Sequence, residues 1–156
     1  MSEEVVWMNS YSGGFILLSG NVLEVLLTFR QNTPYTPEAG GVLLGKRRGK
    51  HLEITDLTTP YPRDIRKRKY FDRKDYRHAR YAHKQWNANN RMIGYVGEWH
   101  THPERWPHPS MLDIKEWLKL SRPYTDELVF LIIGVHDIWA GVGGLMGLHN
   151  CRKSFE

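Results

Sequence analysis

The chain has 156 residues, a hydrophobic content of 40% and a net charge of +5, which together fit one domain with a single core. No apolar run approaches the ~18 residues of a membrane span, and residues 1–4 lack the basic and then apolar pattern of a signal peptide. Because Cys151 is the one cysteine, no internal disulfide can form, and we expect a single cytoplasmic domain covering residues 1–156.

The first half of the chain alternates between short strand patterns and helical patterns. Residues 5–8 and 14–18 predict two strands, and Ser19 then predicts the N-cap of a first helix. Residues 41–46 and 52–58 predict a hairpin, and residues 74–88 predict a second helix. The segment just before this hairpin contains Glu38, a candidate general base.

The excess positive charge is confined to one stretch, from Arg63 to His78. It contains eight Lys or Arg and three Asp residues, so its excess equals the net charge of the whole chain. Three interpretations stay open: a solvated loop, phosphate contacts to nucleic acid, or steering of an acidic protein substrate. Nucleic acid is the least supported, because no stacking platform or recognised DNA-binding motif accompanies the charges.

Two histidines follow a strand pattern over residues 92–99. Residues i and i+2 of a strand point to the same face, so His100 and His102 can converge on one metal ion. A proline-rich loop leads to Ser110, a predicted helix N-cap, and Asp113 then lies in the first helical turn. Imidazole nitrogens and a carboxylate are typical ligands of a catalytic zinc.

Each fragment of this pattern also has an ordinary structural interpretation. A His-x-His pair alone is typical of a polar strand edge, and Ser110 with Asp113 alone is a variant of the capping box. Their order and close spacing together favour a metal site. Glu98 shares the strand face of His100, so it is a candidate partner of the ligands or an alternative base. Glu104 and His108 lie in the intervening loop, as solvated residues or substrate contacts.

The remaining candidate residues show no pattern typical of catalysis. Cys151 lacks any sequence signal of thiol activation. Five other histidines have no ligand spacing with one another, and we expect them to be structural or exposed: His51, His78, His83, His136 and His149.

The last third of the chain predicts two further strands. Residues 128–135 are almost continuously apolar, as expected of a central strand covered on both faces. Residues 138–146 predict the strand that follows. Three helices and a mixed set of strands indicate an α/β fold, a three-layer α/β/α sandwich around a mixed sheet.

The motif H-x-H-x7-S-x2-D, with the upstream glutamate, resembles the JAMM motif of the JAB/MPN zinc metalloprotease family. The resemblance covers most of the chain and implies the cytidine-deaminase-like sandwich of that family. It implies that His100, His102 and Asp113 bind one Zn²⁺ per chain. By the same resemblance Glu38 deprotonates the attacking water, and Ser110 stabilises the oxyanion of the tetrahedral intermediate.

A narrower likeness lies in residues 60–75 and 97–104. Both segments resemble the small bacterial JAB peptidases of CBASS antiphage operons, which remove a conjugated cGAS-like nucleotidyltransferase from its targets. The resemblance implies an isopeptidase whose partner is a protein substrate with an extended C-terminal tail, ubiquitin-like or conjugated.

Two other functions remain as alternatives. One is a JAMM peptidase that processes a sulfur-carrier or another ubiquitin-like protein. The other is a non-catalytic MPN scaffold or a relative of the RadC type. A scaffold is expected to lack the ligands that this chain has, and the 156 residues leave no room for the helix-hairpin-helix domain expected of RadC.

Overall fold

The computed structural model describes residues 3–154, which form ten strands and three helices. The strands are β1 (Val5–Asn9), β2 (Phe15–Leu18), β3 (Gly40–Arg48), β4 (His51–Leu57), β5 (Ile65–Lys67), β6 (Tyr70–Asp72), β7 (Gly94–Thr101), β8 (Leu128–Ile133), β9 (Ile138–Gly144) and β10 (Gly147–Lys153). The helices are α1 (Gly20–Thr28), α2 (Arg77–Ala88) and α3 (Met111–Ser121). Within residues 3–154, none of the helices has the length and apolar character needed to cross a bilayer.

The main sheet is mixed and closes on itself. Its strand order is β1-β10-β9-β8-β7-β3-β4-β2, and β2 pairs with β1 to complete the ring. The β7–β8 and β2–β4 pairs are parallel, whereas the other pairs are antiparallel. The mixed sheet with its helices is confirmed, but the predicted three-layer sandwich is replaced by this closed sheet. The reason is β10, a polar strand without clear alternation, which joins β9 to β1.

Strand β8 is central and is covered on both faces, as its apolar sequence predicts. Its odd-numbered residues belong to the larger core cluster, which includes Val22 and Leu26 of α1. Its even-numbered residues pack with Trp117 of α3 in a second cluster. Helices α1 and α3 therefore lie on opposite faces of β8, and this part of the fold keeps the layered arrangement that the sequence indicates.

The first and third helices begin where their capping residues predict. The Ser19 side chain accepts a hydrogen bond from the Val22 N–H, and α1 begins at the next residue. In contrast, α2 begins at Arg77 rather than at residue 74. The backbone N–H groups of Lys74 and Asp75 donate to Asp64 Oδ1, at 2.9 Å each, so these residues form a turn before the helix.

A separate two-stranded hairpin, β5–β6, occupies the basic stretch and was not predicted. A buried histidine connects the base of this hairpin to the main sheet. His78 is fully buried and lies between Asp64, just before β5, and Thr58, just after β4. One ring nitrogen of His78 lies 2.6 Å from Asp64 Oδ2, and the other contacts the Thr58 hydroxyl. His78 therefore has the structural role expected of it, linking the hairpin to the end of β4.

Candidate metal centre and active-site cleft

Three predicted ligands converge where β7 ends and α3 begins. The Nε2 atoms of His100 and His102 lie 3.0 Å apart. Asp113 Oδ1 lies 3.3 Å from His100 Nε2, and Asp113 Oδ2 lies 3.1 Å from His102 Nε2. Tetrahedral zinc with bonds of about 2.0–2.1 Å separates its ligand atoms by about 3.3 Å, so this donor set fits the ion.

The helix cap orients the carboxylate of this set. Ser110 Oγ accepts from the Asp113 N–H at 3.0 Å, and Asp113 Oδ2 accepts from the Ser110 N–H at 2.9 Å. Asp113 is therefore a member of both the capping box and the proposed ligand set. Burial would raise the pKa of Asp113, but hydrogen bonds from His100 and His102 hold it well below its usual range.

A glutamate in the proline-rich loop selects the tautomer of His102. Glu104 Oε1 lies 2.8 Å from His102 Nδ1, so Nδ1 donates its hydrogen to the carboxylate. With Nδ1 engaged by Glu104, Nε2 is the atom that faces the ligand cluster, and a bound metal ion would replace any hydrogen there. The sequence leaves Glu104 open between a solvated residue and a substrate contact, although its position two residues after His102 is compatible with a hydrogen bond to that imidazole.

Glu38 lies beside the same cluster and is only 5% exposed. A carboxylate oxygen of Glu38 and a ring nitrogen of each histidine all lie within 4.8 Å of one another. Among residues 3–154, the Glu38 carboxylate makes no hydrogen bond or ion pair to these imidazoles, whereas Asp113 does. Glu38 therefore lies within reach of a metal ion or water held by the two histidines, without bonding to either imidazole.

The local environment raises the proton affinity of the Glu38 carboxylate. Burial raises its pKa to about 7, and the charges of Asp113 and Glu104 add to this effect while His102 opposes it. Its backbone is held by the hairpin, since the Glu38 N–H donates to Lys67 O and the Glu38 carbonyl accepts from Arg66 Nε, both at 2.8 Å. The hairpin thus helps to place this carboxyl group.

Glu98, the alternative base, also faces the cleft, but both of its oxygens have partners. Arg73 donates Nε to Oε1 at 2.6 Å and Nη2 to Oε2 at 2.7 Å. The Tyr95 hydroxyl donates to Oε2 at 2.7 Å. The geometry therefore favours Glu38 over Glu98 as the carboxylate that is free to accept a proton.

These residues line a cleft of about 550 Å³. One wall is the end of the hairpin with the residue after it, from Lys69 to Arg73, and the facing wall includes Leu112 and Glu116 of α3. Ser110 also lines the cleft, and its hydroxyl hydrogen is not used in the helix cap. The basic stretch is therefore not only a solvated loop, because part of it forms the wall of the candidate active site.

Two other candidates lie apart from this chemistry. His108 is exposed and is not among the residues that line the cleft. Cys151 lies on β10, and burial raises the pKa of its thiol to about 12, so the thiolate is disfavoured near neutral pH.

Known proteins resemble this chain over most of its length. A family model described as prokaryotic homologs of the JAB domain matches residues 21–142. A protein named CD-NTase/cGAS isopeptidase from Escherichia coli is 38% identical over 89% of this chain and 88% of its own length. Proteins of the same name from Vibrio cholerae and Pseudomonas aeruginosa are 37% and 43% identical, covering 90% and 65% of this chain and 90% and 66% of their own lengths.

A solved structure shows a similar fold. The solution structure of protein DSY2949 from Desulfitobacterium hafniense matches with a TM-score of 0.62 and 23% identity, covering 85% of this chain and 87% of that one. At this identity the likeness concerns the fold alone. The family match and the three relatives confirm the resemblance drawn from the motif, and the chain belongs to the prokaryotic homologs of the JAB domain.

Proposed function

We propose that this protein is a zinc-dependent isopeptidase that hydrolyses the bond after the C-terminal tail of a conjugated or ubiquitin-like protein. The main support is the convergence of His100, His102 and Asp113, whose ligand atoms lie 3.0–3.3 Å apart. The names of the three relatives support a cGAS-like nucleotidyltransferase as the conjugated protein, in an antiphage system of the CBASS type.

The proposed ligands would hold one Zn²⁺ with one coordination position left for water or substrate. When bound, zinc supplies Lewis-acid chemistry, which polarises a carbonyl group and lowers the pKa of water toward neutrality. The residues fit this donor set, because the contact with Glu104 occupies His102 Nδ1 and leaves Nε2 as the ligand atom, and the cap of α3 directs Asp113 toward both imidazoles.

The protein's own groups perform the proton transfers. Glu38 accepts a proton from the attacking water as the new C–O bond forms. The Ser110 hydroxyl donates a hydrogen bond to the carbonyl oxygen while negative charge develops there. The C–N bond then breaks, and Glu38 returns the proton to the leaving amine. Water is thereby added across the amide, and no other reactant is needed.

The cleft also offers a place for an extended tail. In the part of the chain that the structure describes, β6 pairs only with β5, so its other edge is free. An extended peptide can add a strand to such an edge through backbone hydrogen bonds. Because the segment from Tyr70 to Arg73 lines the cleft, a tail bound there would run along the cleft wall toward Glu38 and Ser110.

The basic residues of the hairpin divide into two groups. The side chains of Arg66 and Arg68 donate to backbone carbonyls, of Glu38 and of Thr33 and Thr36 respectively, and so they hold the loop before β3. Lys67 and Lys69 are exposed, and their side chains donate no such hydrogen bond to any of residues 3–154. We therefore assign steering of an acidic protein substrate to the two lysines rather than to all four cations.

The test is a cleavage assay on protein purified without added metal. Elemental analysis should give close to one zinc per chain, and the protein should release a substrate joined through its C-terminal tail to a lysine amine. A matched conjugate with a linear peptide bond in the same place measures the preference for isopeptide bonds. Full activity in metal-free protein, or no cleavage of either conjugate by the zinc-loaded protein, would refute the proposal.

A further inference from the structure

We infer that Arg73 and Glu98 form a positioning pair that holds the β5–β6 hairpin against β7, the strand that carries His100 and leads directly into His102. The inference rests on the proposed function, because it concerns how the same cleft accepts its protein substrate. The pair is not part of the motif that identifies the family. Its evidence lies in the contacts between two segments that are distant in the sequence.

The contact has the geometry of a strong charge-assisted pair. Arg73 Nε and Nη2 lie 2.6 and 2.7 Å from the two oxygens of Glu98, which is the bidentate arrangement that a planar guanidinium favours. The side chains are only 25% and 15% exposed. A lysine at position 73 would keep the charge but would lose the second parallel hydrogen bond.

The two residues belong to the two parts of the site that must be aligned. Glu98 lies on β7 two residues before His100, and the two side chains therefore share one face of the strand. Arg73 directly follows β6, the strand whose residues line the cleft. The ion pair is thus a direct link between the cleft wall and the strand that presents the histidines.

Tyr95 supports the orientation of Glu98. Its hydroxyl donates to Glu98 Oε2 at 2.7 Å, so the carboxylate is held by three hydrogen bonds. Removing Arg73 would leave the Glu98 charge largely buried without its counter-ion, which is costly, and the carboxylate would be expected to reorient.

The hairpin has other contacts, and their positions show which of its two strands depends on Arg73. Strand β5 is joined to Glu38 through Lys67 O and Arg66 Nε. On the β6 side, the ring of Phe71 packs on Gly40, where an added Cβ would lie 2.6 Å from that ring. Loss of Arg73 should therefore loosen β6, where the substrate tail is proposed to bind, and leave the Glu38 side in place.

The test compares Arg73→Ala with Arg80→Ala, a matched control on the exposed side of α2. We expect KM for the isopeptide-linked conjugate to rise roughly 10-fold to 100-fold in Arg73→Ala, the range for a misplaced substrate contact, with a much smaller change in kcat. Zinc content should stay at one per chain. Amide hydrogen exchange over residues 65–72 should become faster, and the control should match wild type in every measurement.

A double-mutant cycle separates positioning from two independent effects. If the residues act through each other, Arg73→Ala combined with Glu98→Ala should raise KM no more than the worse single variant. Arg73→Lys and Glu98→Gln should give smaller changes in the same direction, and they keep the test available should the alanine variants fail to fold.

Three results would overturn the inference. The first is an Arg73→Ala variant whose KM and whose amide hydrogen exchange in the hairpin both equal those of wild type. The second is strict additivity in the cycle. The third is loss of zinc from Arg73→Ala while hairpin exchange stays at the wild-type rate, since the residue would then act on the metal site. A wild-type protein that cleaves no conjugate would instead refute the proposed function, and hydrogen exchange would still report on the pair.

Discussion

The ligand segment, residues 100–113, and the hairpin segment, residues 60–78, meet in one cleft but are built in different ways. In the ligand segment, the geometry follows from short-range rules: strand parity aligns His100 with His102, and a helix cap turns Asp113 toward them. The hairpin segment is held by contacts to distant residues, including Glu38 and Glu98. Local sequence can therefore place the proposed metal ligands, whereas tertiary contacts place the wall of the cleft around them.

The substitution Asp113→Asn should have the largest effect on the ligand segment. An amide cannot supply the negative charge that the carboxylate gives to a zinc site, so zinc affinity and activity should both be lost. The fold should persist, because α3 keeps its apolar contact through Trp117 and the amide oxygen can still accept from the Ser110 N–H. Elemental analysis, activity and circular dichroism of one preparation measure these three outcomes together. Full zinc content in this variant would contradict the ligand assignment.

Glu38→Gln should separate catalysis from metal binding. The variant should keep one zinc per chain and lose at least ~10²-fold in rate, the lower range for general acid–base catalysis. Glu98→Gln is the matched control for a carboxylate in the same cleft, and it should keep much more activity. An active Glu38→Gln variant alongside an inactive Glu98→Gln variant would mean that the base has been assigned to the wrong residue.

Glu38→Gln should also change the pH dependence of the stability of the metal-free protein. Burial raises the pKa of Glu38 from 4.5 to about 7, so between these values the folded protein binds more protons at this site than the unfolded chain. Stability should therefore fall as pH rises through this window, and Glu38→Gln should remove that part of the slope. Thermal unfolding of both proteins in chelator, from pH 4.5 to 7.5, measures the difference.

His78→Leu should break the hairpin segment with little direct effect on the ligands. The substitution removes the two buried hydrogen bonds of the imidazole, to Asp64 and to Thr58, and the loss of each should cost about 0.5–1.5 kcal/mol. Denaturant unfolding should show this loss of stability, and amide hydrogen exchange over residues 60–77 should become faster. The zinc content should stay at one per chain. His83→Leu, at an exposed position of α2, is the control and should be close to neutral. Equal stability of the two variants would refute the structural role of His78.

The smallest expected effect concerns the two exposed lysines of the hairpin. Replacing Lys67 and Lys69 with Ser should lower kcat/KM for an acidic protein substrate a few-fold at low salt, because the encounter rate falls. The effect should shrink as salt rises, since screening at ~0.15 M acts beyond about 8 Å. Arg80→Ser with Lys84→Ser removes the same charge elsewhere. Identical salt dependence in both double variants would reject steering by the hairpin.

The sequence by itself determined the family and much of the local structure of this protein. The spacing from His100 to Asp113 identified the proposed ligand set, because strand and helix periodicity place these side chains without help from distant residues. The apolar run in β8 likewise predicted a strand covered on both faces. The start of α3 was predictable for the same reason, since its capping residue lies next to it in the chain.

Tertiary structure alone decided the closure of the sheet and the wall of the cleft. Strand β10 is polar and becomes a strand by pairing with β1 and β9, which a local pattern cannot show. Similarly, β5 and β6 are three residues each, and residues distant in sequence hold them: Glu38 bonds to β5, and Glu98 pairs with Arg73 at the end of β6. Short polar segments have little periodicity of their own, so the contacts they make after folding decide their structure.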